Sequence, residues 1–383
     1  MESIEQMINR LCPKGMEQMK IGDICEILRG KRLTKKELYD DAQYKVFHGG
    51  LSPIGYYAKT NRPAQTVMVI NVGASAGTVG FCDEAFWSSD GCFCLSHNDD
   101  VALPKFLYYY LAAHQLSIQS RVRKAGIPTL DASAVKEIRI ALPPLEIQNR
   151  IVEVLDKMTT LTAELEAELE ARKQQYEYYR NKLLTFNEVG GGIRQEKKDL
   201  CPNGVKFVKL GDCLEYEQPT NYQVSSKDYL DNGTPVLTAG QTFILGYTDE
   251  TNGIYHASKE QPVIIFDDFT TSFHWVDFDF KVKSSAMKIL TPCNEEANFR
   301  FIYYAMKCIK YETLEHSRQW ISTYSQFEIP LPPLEEQARI VSILDRFEAL
   351  TTDLQSGLPA EIEARRQQYE YYRNKLLTFE QSA

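Results

Sequence analysis

The segment QQYEYYRNKLLTF occurs twice in this chain without a single change, at residues 174–186 and 367–379. Two other segments repeat at an offset of 189 residues. LCPKG (11–15) returns as LCPNG (200–204), and LPPLEIQNRIVEVLD (142–156) returns as LPPLEEQARIVSILD (331–345). Solenoid repeats have periods of roughly 20 to 50 residues, far shorter than half of this 383-residue chain. The repeat therefore predicts two similar domains related by a pseudo-two-fold axis.

Composition excludes several classes of protein. The chain is 43% hydrophobic and 25% charged, which is typical of a globular protein. No apolar run approaches the length of a membrane span, and the opening MESIEQMINR does not resemble a signal peptide. The nine cysteines are scattered and include no CxxC pair, so neither a disulfide framework nor a zinc site is expected. We expect a cytoplasmic protein with no membrane partner.

The net charge of −9 is distributed unevenly. Residues 1–145 have a net charge of +2, whereas residues 190–333 have −5. A chain this acidic is not a nonspecific coat for nucleic acid, because that binding mode depends on neutralising phosphates. Local basic loops can still read DNA.

Each repeat ends in a segment with the periodicity of a long helix. No glycine or proline occurs from Leu145 to Phe186, and apolar residues recur at spacings of four and three, which is a coiled-coil seam. The first seam consists of Ile147, Ile151, Val154, Met158, Leu161, Leu165, Leu169, Tyr176, Tyr179 and Leu183. The second helix should run from 334 to 379, with a kink or restart at Ser356-Gly357-Leu358-Pro359. We expect the two helices to pair antiparallel within one chain; a homodimeric coiled coil is the alternative.

Short strand-like runs with one or two helices predict an α+β fold for both globular parts. Two similar globular domains, separated by a pair of long antiparallel helices, would give a cyclic topology that is pseudo-two-fold. The predicted boundaries are 1–144 for the first domain, 145–186 for the first helix, 187–333 for the second domain with its linker 187–199, and 334–383 for the second helix, kinked near 356–359.

Several motifs together resemble those of the specificity subunit of type I restriction-modification systems. They are the LPPLExQ helix starts, the TAEL-type tetrads at 162–169, the QQYEYYRNKLL helix ends and RQWIS at 318–322. The resemblance implies that each domain is a target-recognition domain that reads one half of an asymmetric bipartite sequence in double-stranded DNA. It implies that the helices set the spacing and dock two modification subunits, with restriction subunits as further partners. S-adenosylmethionine, ATP and Mg²⁺ would then belong to the partners, and this chain would bind no cofactor and catalyse no reaction.

Basic residues supply the candidate DNA contacts. The strongest cluster is Arg29, Lys31, Arg32, Lys35 and Lys36, which suits phosphate contact and base readout by arginine; a solvated loop is the alternative. A second cluster, Arg121, Arg123 and Lys124, corresponds roughly to Arg318 and Gln319, whose side chains can read guanine and adenine. Trp320 is expected to pack rather than to stack on a base. Lys281 and Lys283 are further phosphate candidates.

A nuclease is the alternative function. Asp268, Asp279 and Lys281 resemble the carboxylate-carboxylate-lysine sets that hold magnesium, although the first domain did not keep them. The glycine-containing run GASAG (73–77) lacks the lysine of a phosphate-binding loop and is read as a turn. We therefore predict no catalytic residue and no metal ligand in this chain.

Overall fold

The computed structural model describes residues 2–186, 204–240, 242–313, 317–353 and 356–379. They form two compact units. Unit 1 comprises Met1–Glu166 and Glu361–Ala383, and unit 2 comprises Ala167–Ala360. The two ends of the chain thus belong to the same unit, as the predicted cyclic topology requires. The predicted linker 187–199 lies outside the described residues.

Unit 1 has the predicted α+β character. Its helices are α1 (Ile4–Leu11), α2 (Ile21–Ile24), α3 (Pro104–Ala113), α4 (Gln115–Gln119) and α5 (Ala132–Lys136). Its strands are β1 (Gln18–Lys20), β2 (Cys25–Arg29), β3 (Tyr44–Phe47), β4 (Gly55–Tyr57), β5 (Thr66–Ile70), β6 (Val79–Cys82), β7 (Trp87–Ser88), β8 (Cys92–His97) and β9 (Arg139–Ala141). They form sheets in the orders β2-β8-β5-β6, β4-β3-β7 and β1-β9. The long helix α6 (Leu145–Leu184) follows.

Unit 2 repeats this arrangement. Its helices are α7 (Leu210–Cys213), α8 (Phe299–Met306) and α9 (Leu334–Thr352), and the chain returns to unit 1 through α10 (Leu358–Leu377). Its strands are β10 (Lys206–Lys209), β11 (Leu214–Glu217), β12 (Thr234–Leu237), β13 (Ile244–Thr248), β14 (Val263–Asp267), β15 (Phe273–Val276), β16 (Lys281–Val282), β17 (Met287–Pro292) and β18 (Glu328–Leu331).

The sheet orders of unit 2 are β11-β17-β14-β15, β13-β12-β16 and β10-β18. Each is the order of unit 1 with nine added to every strand number. Both units also have one parallel strand pair, β3 with β7 in unit 1 and β12 with β16 in unit 2. The other strand pairs are antiparallel. The duplication predicted from the sequence is therefore confirmed strand by strand.

In each four-stranded sheet, one of the two central strands, β5 in unit 1 and β14 in unit 2, is covered on both faces. β5 is buried at all five positions, and its alternate side chains enter different clusters, with Val67 and Val69 packing towards α3 and Met68 and Ile70 packing towards the smaller sheet. A strand with two buried faces is apolar except where a polar group is hydrogen-bonded, which explains the apolar run Val67–Ile70; the Thr66 hydroxyl donates to the Pro63 carbonyl at 2.8 Å. β14 is built in the same way, with Ile264 and Phe266 on one face and Val263 and Ile265 on the other.

A buried glutamine fixes the start of each long helix and explains the repeated LPPLExQ motif. Gln148 Nε2 donates to the Pro143 carbonyl oxygen at 2.8 Å, and its Oε1 accepts from the Leu103 amide at 2.9 Å. Gln337 makes the same pair of bonds, to the Pro332 carbonyl at 2.7 Å and from the Asn298 amide at 2.8 Å. Each glutamine thus joins the helix to its globular part and satisfies backbone groups that would otherwise be buried without a partner.

A tyrosine also joins α3 to the long helix α6 in unit 1, and α8 to the long helix α9 in unit 2. Tyr109 donates to the Asp156 carboxylate at 2.6 Å, and Tyr304 donates to the Asp345 carboxylate at 2.5 Å. Burial, and in second place the aspartate, raises the pKa of Tyr109. The phenols therefore remain protonated donors at any physiological pH.

The long helices pair antiparallel within each unit. In unit 1, Leu377 lies in one cluster with Ile147 near the start of α6, whereas Arg366 contacts Glu166 at 2.6 Å further along it. In unit 2, Leu184 lies in one cluster with Ile340 near the start of α9, whereas the Tyr179 and Phe347 rings stack with centroids 5.8 Å apart. The expected intramolecular pairing is confirmed.

The seam differs from the predicted one in its middle. Leu155, which the spacing did not select, is fully buried, whereas Leu161 is 43% exposed. On the second helix, the predicted seam residues Leu358 and Ile362 are buried. The second helix stops at Thr352 and restarts at Leu358. Gly357 lies where a Cβ would be 2.6 Å from the Ala349 carbonyl oxygen, so the break requires a glycine.

Candidate nucleic-acid interface

One end of each four-stranded sheet gathers the segments that carry candidate residues. In unit 1, β2 ends at Arg29 opposite Phe93 at the start of β8, and β5 ends at Ile70 opposite Cys92. We call this end, where β2 and β5 end and β8 begins, the apical end of unit 1. The apical end of unit 2 is the equivalent end, where β11 and β14 end and β17 begins. Loops that leave these strand ends must lie close to one another, although they are far apart in sequence.

The basic segment at 29–36 is the loop that leaves β2 at the apical end. Gly30 approaches the neighbouring segment so closely that a Cβ would be 2.1 Å from the Ser89 carbonyl oxygen. The Lys31 amide donates to the Ser88 carbonyl at 3.0 Å, and Trp87 Nε1 donates to the Lys31 carbonyl at 2.7 Å. The backbone of the loop is therefore fixed by its first residues.

Arg62 provides a second anchor for the same loop. Its Nη2 donates to the Arg29 carbonyl oxygen at 2.9 Å, and its Nη1 donates to the Asn61 carbonyl at 2.6 Å. Asn61 in turn makes two bonds to the backbone of Ser88, at 2.7 and 2.9 Å. The guanidinium of Arg62 is thereby used to position the loop from inside.

The basic side chains of this loop point into solvent, whereas Leu33 is buried. Arg29, Lys31, Arg32, Lys35 and Lys36 are all exposed, and none of them takes part in an ion pair within the described residues. Glu37 is held back in a capping box, where the Thr34 amide and hydroxyl lower the pKa of its carboxyl. A loop with a fixed backbone and unpaired cations is suited to contact phosphates. Its main chain is already ordered, so binding costs little further conformational entropy.

The second basic cluster lies at the same apical end. Thr129 forms isolated antiparallel β-bridges to Val72, just beyond β5, and to Arg123. The backbones of Thr129 and Arg123 exchange hydrogen bonds of 2.9 and 3.1 Å. Arg121, Arg123 and Lys124 are exposed, and Arg121 donates to the Ala134 carbonyl at 3.3 Å. The structure thus brings the 29–36 segment and the segment of Arg123 and Lys124 to one end of one sheet, whereas the Arg121 side chain reaches α5.

In unit 2 two of the candidates remain at the surface. Lys283 is exposed in the turn before β17. Arg318 is exposed, and the next residue, Gln319, donates its amide to the carbonyl of Asp268, just beyond β14. Both therefore lie at the apical end of unit 2. The segment after β11 forms a short helix at Pro219–Tyr222, and no basic residue occurs between 214 and 226.

Burial corrects two of the candidates in unit 2. Lys281 is 2% exposed and forms an ion pair with Glu250 at 2.9 Å, so its ammonium is not available to a phosphate. Gln319 is 4% exposed, and its amide binds Ser317 and the Tyr311 hydroxyl, so it cannot read a base in this conformation. Trp320 is buried against Phe266, which confirms the expectation that it packs.

The three residues of the nuclease alternative are separately engaged. Asp268 is buried, accepts the backbone amides of Gln319 and Trp320, and lies 3.3 Å from Lys288 Nζ. Asp279 instead pairs with His256, and Lys281 pairs with Glu250. Within the described residues, no group of three potential ligands is placed to hold a metal ion. The described contacts of Asp268, Asp279 and Lys281 therefore do not support the nuclease alternative.

A comparison with protein families decides the classification. The model of the "Type I restriction modification DNA specificity domain" matches residues 13–172 and again residues 202–364. The chain belongs to this family. Each of the two matches contains the whole four-stranded sheet of one unit, including its apical end.

Relatives of this specificity-domain family cover the chain to different extents. The specificity subunit of the Escherichia coli type I restriction enzyme EcoR124I/EcoR124II is 53% identical over 188 residues, which cover 46% of this chain and only 45% of that protein. A putative type I specificity subunit of Mycoplasma pneumoniae is 24% identical over 365 residues, covering 93% of this chain and 96% of that protein. The S subunit crystal structure from M. genitalium aligns with a TM-score of 0.67 at 18% identity, covering 94% of this chain and 96% of that one, and so shows the same fold. No described helix of this chain has the length and apolar character needed to cross a membrane.

Sequence reasoning missed the residues that position this specificity domain's first loop. Arg62 lies 33 residues along the chain from Arg29, whose carbonyl oxygen it binds, and Asn61 lies 27 residues from Ser88. Asn-Arg-Pro reads only as a turn signal, and no local pattern connects it to Arg29. Gly30 within a run of cations was the one available sign of a close backbone approach.

Proposed function

We propose that this chain is the DNA-recognition subunit of a type I restriction-modification complex, and that each unit reads one half of an asymmetric bipartite target in double-stranded DNA. The observation that carries the proposal is the shared sheet order with different apical loops. One scaffold presents two unlike surfaces at the same structural position, which is how two unlike half-sites are read by one fold. In this role the chain itself is noncatalytic and works in the cytoplasm.

The identical helix ends support two copies of one partner. Tyr178 and Tyr371 occupy the same place in the repeated tridecapeptide and are each 60% exposed. Each lies edge-on to the next tyrosine, with ring centroids 5.3 Å apart in both copies. Packing within the chain does not explain identity at exposed positions, whereas a partner that binds twice does, and exposed tyrosines are typical interface anchors.

These partners are the modification subunits, two per chain, joined by restriction subunits in the full complex. S-adenosylmethionine, ATP and Mg²⁺ are bound by those subunits and not by this chain. The tetrads at 162–169 lie in the middle of α6 with most of their side chains exposed, and they act as the spacer between half-sites.

Methylation mapping tests this function. Cells that express the modification subunits with this chain should methylate one bipartite sequence, and cells that lack this chain should not. The purified chain alone should methylate no DNA and, with Mg²⁺, cleave none. Methylation of the same sequence in the absence of the chain, or cleavage by the chain alone, would contradict the proposal.

A further inference from the structure

The loop between Arg123 and Thr129 carries an exposed apolar residue at its tip. Ile127 is 70% exposed, between Gly126, whose φ is +77°, and Pro128. Single exposed apolar residues are common and by themselves indicate nothing. This one stands apart because its loop is held at its base and because the side chains before it are cationic.

Hydrogen bonds hold the loop from both sides. Arg123 and Thr129 exchange two backbone bonds, and the Gly73 amide donates to the Pro128 carbonyl at 2.9 Å. The Thr129 hydroxyl donates to the Ile127 carbonyl at 2.9 Å, which fixes the backbone of the tip itself. Ile127 therefore cannot turn inward to join the core without breaking this set of bonds.

Two exposed cations precede the tip. Arg123 and Lys124 are exposed at the start of the loop, and the loop stands at the apical end from which the 29–36 segment also leaves. An apolar side chain at a tip whose backbone is held, preceded by two cations, resembles the wedges of minor-groove proteins. In those proteins Arg and Lys hold the backbone, while Ile, Leu, Phe or Pro enters between two base pairs and kinks the duplex.

We propose that Ile127 is such a wedge: that it inserts between neighbouring base pairs from the minor groove of the half-site read by unit 1, and that the Gly126–Pro128 tip kinks the DNA there. The inference rests on the proposed function and names a residue through which that function is carried out. Its effect on specificity is indirect, because base steps that unstack easily are favoured at the insertion point.

The test measures DNA bending and affinity together. The chain, co-purified with its modification subunits, is titrated with a duplex that holds the mapped target and a fluorophore at each end. Energy transfer reports the bend. Ile127→Ala is compared with Ile127→Leu, which keeps an apolar wedge, and with Leu116→Ala. Leu116 is 82% exposed on α4, outside the loop, and so controls for the loss of surface apolar area.

We expect Ile127→Ala to abolish the increase in energy transfer and to weaken binding about tenfold, a change of about 1.4 kcal/mol. Ile127→Leu should retain both, and Leu116→Ala should change neither. Unchanged bending by Ile127→Ala overturns the wedge, whether or not affinity falls. Failure of Ile127→Ala to assemble with the modification subunits also overturns it, since the residue would then be a protein contact. If the wild-type complex does not prefer its target to a scrambled duplex, the proposed function itself fails.

Discussion

The two apical ends have the same strands but treat cations in opposite ways. In unit 1 the loop after β2 exposes Arg29, Lys31 and Arg32, whereas the equivalent segment of unit 2, Pro219–Tyr222, has no basic residue. In unit 2, by contrast, two lysines are buried: Lys281 and Lys288 are each at most 2% exposed. The equivalent positions of unit 1, by strand register, are Trp87 and Phe93.

The difference shows that a duplicated scaffold can change where its charge lies without changing its topology. A cation at the surface of unit 1 is available to DNA, whereas the buried cations of unit 2 serve its own core. Lys288 Nζ lies 3.3 Å from Asp268 and 4.2 Å from the centre of the Tyr216 ring. The position equivalent to Asp268 in unit 1 is Asn71, which is buried but uncharged.

The largest expected effect comes from breaking the buried pair. Asp268→Ala leaves the Lys288 ammonium without its counter-charge and should destabilise unit 2 by about 3–5 kcal/mol. Asn71→Ala is the matched change in unit 1 and should cost about 1 kcal/mol, because no buried charge is left behind. Urea unfolding followed by hydrogen exchange of β14 and β5 measures both. Equal losses would mean that the pair does not distinguish the two units.

An intermediate effect is expected from the surface charges. Lys31→Gln combined with Arg32→Gln should weaken DNA binding and lower the slope of log affinity against log salt by about 2, since each phosphate contact contributes about 1. The control is Lys14→Gln combined with Lys136→Gln, which removes the same charge from exposed positions outside the 29–36 and 121–124 segments. Titrations at several salt concentrations decide the matter, and an equal slope change in the control would show that only net charge counts.

The smallest expected effect is a pH dependence confined to unit 2. His274 is stacked on Phe243, its Nε2 contacts the Gly240 carbonyl at 2.9 Å, and burial lowers its pKa, with nearby Lys307 lowering it further. The folded state then holds the proton less tightly than the unfolded chain. Stability should be complete above about pH 6.5 and fall as the pH drops through the folded pKa, by at most about 1.4 kcal/mol per pH unit.

Replacing the imidazole tests this titration. His274→Gln should flatten the pH dependence of unit 2 between pH 7 and 5, as followed by thermal unfolding. Gly80 occupies the equivalent position in unit 1, so no matching transition is expected there from this position. A profile that His274→Gln leaves unchanged would assign the acid sensitivity to other groups.

The sequence predicts most of what is periodic and little of what depends on strand pairing. The repeat, the long helices and their break near Gly357 follow from spacing, because proline and glycine act on their own turn of helix. The exposure of Lys31 follows from the crowding of cations around it. Spacing could not show that Lys281 is buried, since adjacent strand residues normally face opposite sides, yet Lys281 and Val282 are both covered.

Sheet pairing also decides which segments meet. Asp268 and Lys288 come together only because β14 and β17 are neighbours, and the loops at 30–36 and 123–129 lie at one end of the sheet only because β2 and β5 end on the same side. These contacts depend on strand order, which no single segment specifies. The exposure of the basic residues in unit 1 was therefore predictable residue by residue, but their placement at one end of the sheet was not.

The anchors of the first apical loop are main-chain atoms. Arg62 binds a carbonyl oxygen, Trp87 binds another, and Gly30 contributes by having no side chain at all. The side chains at 31, 32, 35 and 36 therefore take no part in these anchoring contacts. Such a loop can change its chemistry without changing its shape. Randomising these four positions should yield folded variants that differ in target sequence, so that new specificities are open to selection at little cost in stability.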